Sequence, residues 1–216
     1  MQNPAAKTIK PRLRGVLHDR AFFASLVAGV ALVLIAQTPR AVFAASVFAL
    51  SVSALLGVSA LYHQVDWSPE ARGRMRRLDH SMIFLLIAGT YTPFAMLVLE
   101  GTFATVLLAV VWGAAIVGSL VELALADHSK WIMATICVAL GWVSVIALPQ
   151  ISDAIGVTGT VLLALGGVAY TVGAIIYAAK KPDIVPGVFG YHELFHALVL
   201  VAIALQYSVI AFFVLS

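Results

Sequence analysis

Long apolar runs separated by short charged stretches dominate the chain. Seven runs of at least 19 residues contain no Asp, Glu, Lys or Arg, namely 21–39, 41–65, 80–99, 101–121, 131–152, 154–179 and 194–216. A helix of about 20 apolar residues crosses the roughly 30 Å hydrocarbon layer of a bilayer. Backbone groups in that layer must be bonded internally, and the sequence does not show the ten-residue alternating segments typical of a membrane barrel. The pattern therefore predicts an all-α bundle of seven transmembrane helices.

Basic residues are distributed unevenly between the two sides that these runs define. If the N-terminus is inside, 12 of the 13 Lys and Arg residues lie inside and only Arg40 lies outside. Short cytoplasmic loops retain positive charge, so the sequence predicts a cytoplasmic N-terminus and an external C-terminus. Residues 1–20 then form a basic cytoplasmic tail and 21–216 the transmembrane domain. A cleaved signal peptide over 1–44 is the competing interpretation, but its apolar core is long and Arg40 lies just before the cut.

The composition agrees with a membrane protein and narrows the chemistry. Hydrophobic residues make up 62% of the 216 positions and charged residues only 11%, far from the composition of water-soluble domains. The net charge of +3 comes from the basic residues on one side rather than from a basic domain, so no nucleic-acid partner is expected. Cys137 is the only cysteine, which leaves His and carboxylate side chains as the donors for any metal. The expected partners are membrane lipids.

Among the ionisable residues within or beside the apolar runs, where such groups are costly unless paired or ligated, four stand out. His63 lies near the end of the second run, Asp79 just before the third, and His192 and His196 at the start of the seventh. In the predicted topology even-numbered helices run inward and odd-numbered helices run outward. All four residues therefore lie near the cytoplasmic boundary, where they could share one site.

The spacing of these residues favours a zinc site. His192 and His196 are four residues apart on one helix face, so both can bind one cation, and His63 could supply a third nitrogen. Three protein ligands and an open position are typical of catalytic zinc, which lowers the pKa of bound water to about 7. In this hypothesis Asp79 orients or deprotonates the water, and Ser59, four residues before His63, donates to it or to the developing oxyanion. The expected substrate is a lipid amide or ester.

Other interpretations of the polar residues stay open at this point. The three histidines could form a metal-free network that holds three helices together. Residues 192–196 also match the H-E-x-x-H pattern of metalloproteases, with Glu193 as the base, although the chain contains neither Asn-Pro-Asp-Gly nor Leu-Asp-Gly for a third ligand. His80 and His128 are interpreted as hydrogen-bonded packing or interfacial groups, and Glu122 as a solvated helix end.

Several short motifs occur together in an order that resembles a known family. They are SALYH at 59–63, RLDH at 77–80, GTYTP at 89–93 and HELFH at 192–196. This set resembles the bacterial hemolysin III family, the prokaryotic relatives of the progestin and adipoQ receptors (PAQR), in a superfamily that includes alkaline ceramidases. The resemblance covers the full chain and implies seven helices in the same orientation.

The resemblance also implies a site and a choice of functions. The zinc ligands that it implies are His63, His192 and His196. It places Asp79 beside the zinc-bound water and Ser59 at the motif serine, and it gives Glu193 no established place, which favours lipid hydrolysis over proteolysis. The function expected is a zinc-dependent hydrolase of a lipid amide or ester, serving membrane-lipid homeostasis in the bacterial inner membrane. The alternatives are a receptor-like or regulatory protein with structural zinc, and a haemolytic protein.

Overall fold

The structure, a computed structural model, describes residue 11 and residues 13–124 and 129–215. Its α-helices are α1 (Val16–Ile35), α2 (Pro39–Gln64), α3 (Pro69–Leu97), α4 (Gly101–Ala124), α5 (Lys130–Trp142), α6 (Leu148–Ala179) and α7 (Tyr191–Val209). A 3-10 segment, Val143–Ala147, joins α5 to α6, and a π-helical turn, Ile210–Val214, follows α7. In these ranges the β-type pairing is limited to one isolated bridge between Val185 and Phe189. The all-α prediction is confirmed for this part of the chain.

Among the residues that the structure describes, six helical segments are long and apolar enough to cross a membrane, where the sequence predicts seven. The difference lies in residues 130–179, which form a single helical segment across the predicted boundary at Asp153. A single acidic residue does not stop a helix, because its backbone bonds as well as any other. The backbone departs from helical geometry at Gly156 instead, with φ 67° and ψ −178°, a conformation that favours glycine.

Helix α3 begins well before the third apolar run. The Ser68 hydroxyl accepts a hydrogen bond from the Ala71 backbone N–H, and Pro69 occupies the first helical turn. Most of the charged stretch between the second and third runs is therefore helical. Asp79 consequently lies about three turns inside a continuous helix, which fixes the position of its side chain.

Close packing of α2 on α3 aligns the parts of both helices that carry the predicted site residues. A Cβ atom placed on Gly89 would lie 2.6 Å from the Cβ of Ser51, so only a glycine lets the two helices approach this closely. The helices are antiparallel and are joined by a short connection. A register that pairs Ser51 with Gly89 brings residues 59–63 opposite residues 77–81.

Candidate metal centre

Three buried histidines meet where α2 ends and α7 begins. These residues, His63, His192 and His196, are called the histidine centre below. One ring nitrogen from each lies within 4.8 Å of the other two, and the Nε2 atoms of His63 and His192 are 3.0 Å apart. Nitrogen ligands on a tetrahedral zinc ion, with bonds of 2.0–2.1 Å, are about 3.3 Å from one another. The histidine centre could therefore hold a metal ion.

The donor set and its surroundings fit a zinc-like cation. Imidazole suits Zn²⁺ and other transition metals, whereas Mg²⁺ and Ca²⁺ prefer oxygen ligands. A divalent ion among three neutral rings needs negative charge nearby, because the site is shielded from water. The carboxylate of Asp79 supplies it, with Oδ2 3.9 Å from His63 Nε2. This separation is too long for a hydrogen bond, so Asp79 lies beside the histidine centre rather than within it.

Ser59 and Asp79 form a polar wall next to the histidine centre. Ser59 is buried one turn before His63 on α2, and its side chain interacts with the Asp79 carboxyl group. Both residues line the same cavity as His192 and His196. The structure thus brings together the five side chains that the sequence predicts as site residues, from α2, α3 and α7.

Glu193, the residue that a metalloprotease would use as its base, has structural contacts instead. Its Oε1 accepts a hydrogen bond from Arg14 Nε at 2.5 Å, and its Oε2 accepts one from the Gly190 backbone N–H at 2.9 Å. The second bond caps the first turn of α7, and the first neutralises a carboxylate that is only 1% exposed. Both carboxylate oxygens are therefore engaged in holding α7, an arrangement that does not favour water activation by Glu193.

Replacing Arg14 by alanine is expected to lower the free energy of unfolding by about 2–3 kcal/mol, because the buried carboxylate of Glu193 loses its partner. Unfolding of the detergent-solubilised protein, in excess metal, measures this loss. Arg20→Ala is the matched control, since Arg20 is 83% exposed and lies 3.9 Å from Asp19. The control should change stability by less than about 0.5 kcal/mol. Equal losses in the two variants would contradict a special role for the Arg14 pair.

One histidine next to the histidine centre is not predicted from the sequence. His18 is buried on α1, and its ring stacks on the ring of His196 with centroids 3.7 Å apart and 5° between the planes. It falls within residues 1–20, assigned from the sequence to the basic tail, but α1 already begins at Val16. The predicted topology could have indicated His18, because the first helix runs outward and its start therefore lies at the same depth as Asp79.

A second polar cluster joins α3, α4 and α6. His80 Nδ1 lies 2.9 Å from Glu122 Oε1, and His80 Nε2 lies 3.2 Å from the Tyr177 hydroxyl. The interpretation of His80 as a hydrogen-bonded packing residue agrees with these contacts. The interpretation of Glu122 as a solvated helix end is wrong, since the residue is only 3% exposed and the last turns of α4 direct it towards His80. His128 lies outside the described residues.

An apolar cavity of about 240 Å³ leads from the histidine centre into the helix bundle. Ser59 and Asp79 lie at its polar end, whereas Leu99 and Ile151 line it far from that end. Asp79 and Leu99 are roughly 30 Å apart along the direction of α3, which is close to the thickness of the hydrocarbon layer. The shape and the lining suit a hydrocarbon chain better than a polar solute.

Fold and site together define a multi-pass helical membrane protein with a buried three-histidine centre. The family model described as "Haemolysin-III related" matches residues 6–207. The chain belongs to this family, which confirms the resemblance seen in its motifs. It is 34% identical over 180 residues to "Hemolysin-3" of Bacillus cereus, covering 82% of this chain and 78% of the relative. It is 30% identical over 168 residues to "Hemolysin-3 homolog" of Bacillus subtilis (strain 168), covering 78% and 76%. It is accordingly a multi-pass bacterial membrane protein.

Proposed function

We propose that the chain is a zinc-dependent hydrolase that cleaves an amide or ester bond of a membrane lipid and contributes to membrane-lipid homeostasis. The observation that carries this proposal is the position of the histidine centre beside Asp79 and Ser59, at the polar end of an apolar cavity. Asp79 would balance the charge of the metal in either role, but metal that only fastens helices together needs no cavity that reaches it. A hydrolase needs such a cavity, because the substrate must reach a water molecule and a base at the same point.

The side chains have separable roles in this reaction. The histidine centre would hold the zinc ion, which would supply a Lewis acid and make a water molecule there more acidic. Asp79 lies beside the histidine centre, with Oδ2 3.9 Å from His63 Nε2, where its carboxylate can accept a proton from a water molecule held at the centre. Ser59 can donate a hydrogen bond to the substrate oxygen that gains negative charge. The cavity holds the acyl chain and excludes bulk water from the site.

The proposal is tested by incubating the purified, zinc-loaded protein with a panel of N-acyl lipids and acyl-ester lipids and measuring released fatty acid by mass spectrometry. We expect release from one lipid class, loss of release after chelation, and recovery when zinc is restored. Protein that holds one zinc ion per chain but releases fatty acid from none of the lipids would contradict the hydrolase.

We further propose seven passes, with the N-terminus inside. The support comes from Trp142 Nε1, which donates a hydrogen bond to Thr171 Oγ1 at 2.9 Å although the residues are 29 positions apart. A straight helix would separate them by about 44 Å. The non-helical backbone of Gly156 lies midway between them, where a chain reversal would bring the two together. Residues 130–155 and 157–179 would then cross the membrane as two antiparallel passes.

Orientation is tested by reversing the densest inner charge. Changing four arginines to glutamate is expected to invert or weaken insertion of α3, since retained positive charge sets the inner side. The four arginines are Arg72, Arg74, Arg76 and Arg77. Reporter fusions that are active on only one side of the membrane measure the change. Arg40→Glu is the control and should leave orientation unchanged, because Arg40 is assigned to the outside. An unchanged orientation in the fourfold variant would contradict the assigned sides.

Haemolysis is the second candidate function, favoured by the name of the Bacillus cereus relative. A pore-forming toxin is normally water-soluble before it inserts, whereas this chain is 62% hydrophobic and its described part contains six apolar helical segments. We therefore rank haemolysis below lipid hydrolysis as the candidate function. Lysis of erythrocytes that persists in an Asp79→Asn variant without lipid turnover would favour a cytolytic activity independent of the hydrolase.

A further inference from the structure

The chain segment that leads into α1 packs against both helices that carry the histidine centre. Gly15 has φ 80°, and a Cβ atom on it would lie 2.6 Å from the Cβ of His63, at the end of α2. Arg14 pairs with Glu193 in the first turn of α7. These two contacts fix the start of α1 between α2 and α7. They also determine where His18, one turn further on, places its ring.

His18 contacts the histidine centre through the flat face of its ring. The His18 and His196 rings are stacked at 3.7 Å and are nearly parallel, and both residues are buried. Neither nitrogen of His18 makes a hydrogen bond of normal geometry within residues 13–124 and 129–215. His18 is also outside the group of three whose nitrogens converge. Its contact with His196 is therefore a contact between ring faces.

A stacked ring restricts the orientation of the residue that it covers. The nitrogen of a metal-binding histidine points at the cation only when the ring plane is fixed, and this is ordinarily achieved by a hydrogen bond to the second ring nitrogen. His196 meets His192 at 53° and His63 at 62°, so these two rings do not cover its face. His18 does cover it. Rotation of the His196 ring out of its plane would drive it into His18 at van der Waals distance.

We propose that His18 is a positioning residue for the metal centre. Its ring holds the His196 ring in the plane that metal binding requires, while Arg14 and Gly15 hold the start of α1 in place. This inference rests on the metal-binding part of the proposed function and does not depend on hydrolysis. It adds α1 to the three helices that supply the predicted site residues.

The test measures zinc affinity of the purified full-length protein by competition with a chromogenic chelator, together with the visible absorption spectrum of the Co²⁺-loaded protein. His18→Phe keeps a flat ring and removes the nitrogens, so its zinc affinity should stay within about threefold of the wild-type value. This change is much smaller than the loss of affinity typical when a group that supports a metal ligand is removed. His18→Ala removes the ring and should weaken binding about 10–100-fold, with altered Co²⁺ bands. His18→Leu keeps the side-chain volume but lacks the flat ring, so its zinc affinity should fall as much as that of His18→Ala. It serves as the test if His18→Ala folds poorly.

Phe22→Ala provides the matched control. Phe22 lies one turn after His18 on α1, and its ring packs on Gly57 rather than on a predicted ligand. Its removal should lower stability and leave zinc affinity unchanged. Wild-type affinity in His18→Ala and His18→Leu would overturn the inference, and so would an equal loss in His18→Phe or in Phe22→Ala. Normal zinc binding without fatty-acid release would overturn the hydrolase alone, whereas a wild-type protein that binds no zinc would overturn both.

Discussion

Replacing Asp79 by asparagine is expected to lower lipid hydrolysis by at least about 100-fold, since an amide cannot take a proton from water and general bases contribute roughly 10²–10⁴-fold. The variant should keep its zinc. The Asp79 oxygen is 3.9 Å from His63 Nε2, and the nitrogens that converge belong to the histidine centre. Asparagine also has nearly the same size, so the packing of α3 against α2 is preserved. Fatty-acid release and metal content are measured on the same preparation.

Asp66→Asn is the control for this experiment, because Asp66 is exposed in the connection after α2. It should change neither turnover nor zinc content. Full activity in Asp79→Asn would exclude Asp79 as the base. Joint loss of zinc and activity would instead assign Asp79 to the support of the metal. A regulatory protein with structural zinc would give a different result. Wild type would hold zinc but turn over no lipid, and Asp79→Asn would keep the cellular function.

Replacing His192 by alanine is expected to abolish stoichiometric zinc binding, because it removes one of three nitrogens that converge from two helices. A ligand that binds only the folded protein stabilises it, by about 2.7 kcal/mol at a hundred times its Kd. The unfolding temperature of wild type should therefore rise with added zinc, and that of His192→Ala should not. Metal analysis after dialysis gives the content directly.

His80→Ala is the matched control for the loss of His192. His80 follows Asp79 on α3 and is also partly buried, but its nitrogens contact Glu122 and Tyr177 rather than the histidine centre. It should keep the full zinc content. Zinc retained by His192→Ala, or lost equally from His80→Ala, would contradict the assignment of the three ligands.

Depth in the membrane can be predicted from this sequence because it depends on where charge gives way to apolar residues. His63, Asp79 and His192 all lie at such a boundary on the inner side, and the structure brings them together. Lateral neighbours depend on helix packing, which the pattern does not encode. Glu122 lies at the end of an apolar run, as a solvated residue would, yet packing turns it towards His80.

The features that sequence reasoning missed arise from backbone geometry and local contacts. His18 lies among basic residues and so resembles part of a tail, but Gly15 lets α1 start early and close against His63. Residues 130–179 contain one charged residue between two apolar runs, and charge is a weak helix breaker. The change of backbone direction falls on Gly156, where positive φ is accessible, rather than on Asp153.

The most direct test of the account is zinc X-ray absorption of the purified wild-type protein, combined with metal analysis of its three single His→Ala variants. If the histidine centre binds zinc, we expect one zinc ion per chain, bound by three imidazole nitrogens at about 2.0–2.1 Å and one oxygen. We also expect each of the variants His63→Ala, His192→Ala and His196→Ala to lose that ion. A wild-type protein without stoichiometric zinc, or a zinc signal that survives in all three variants, would contradict it.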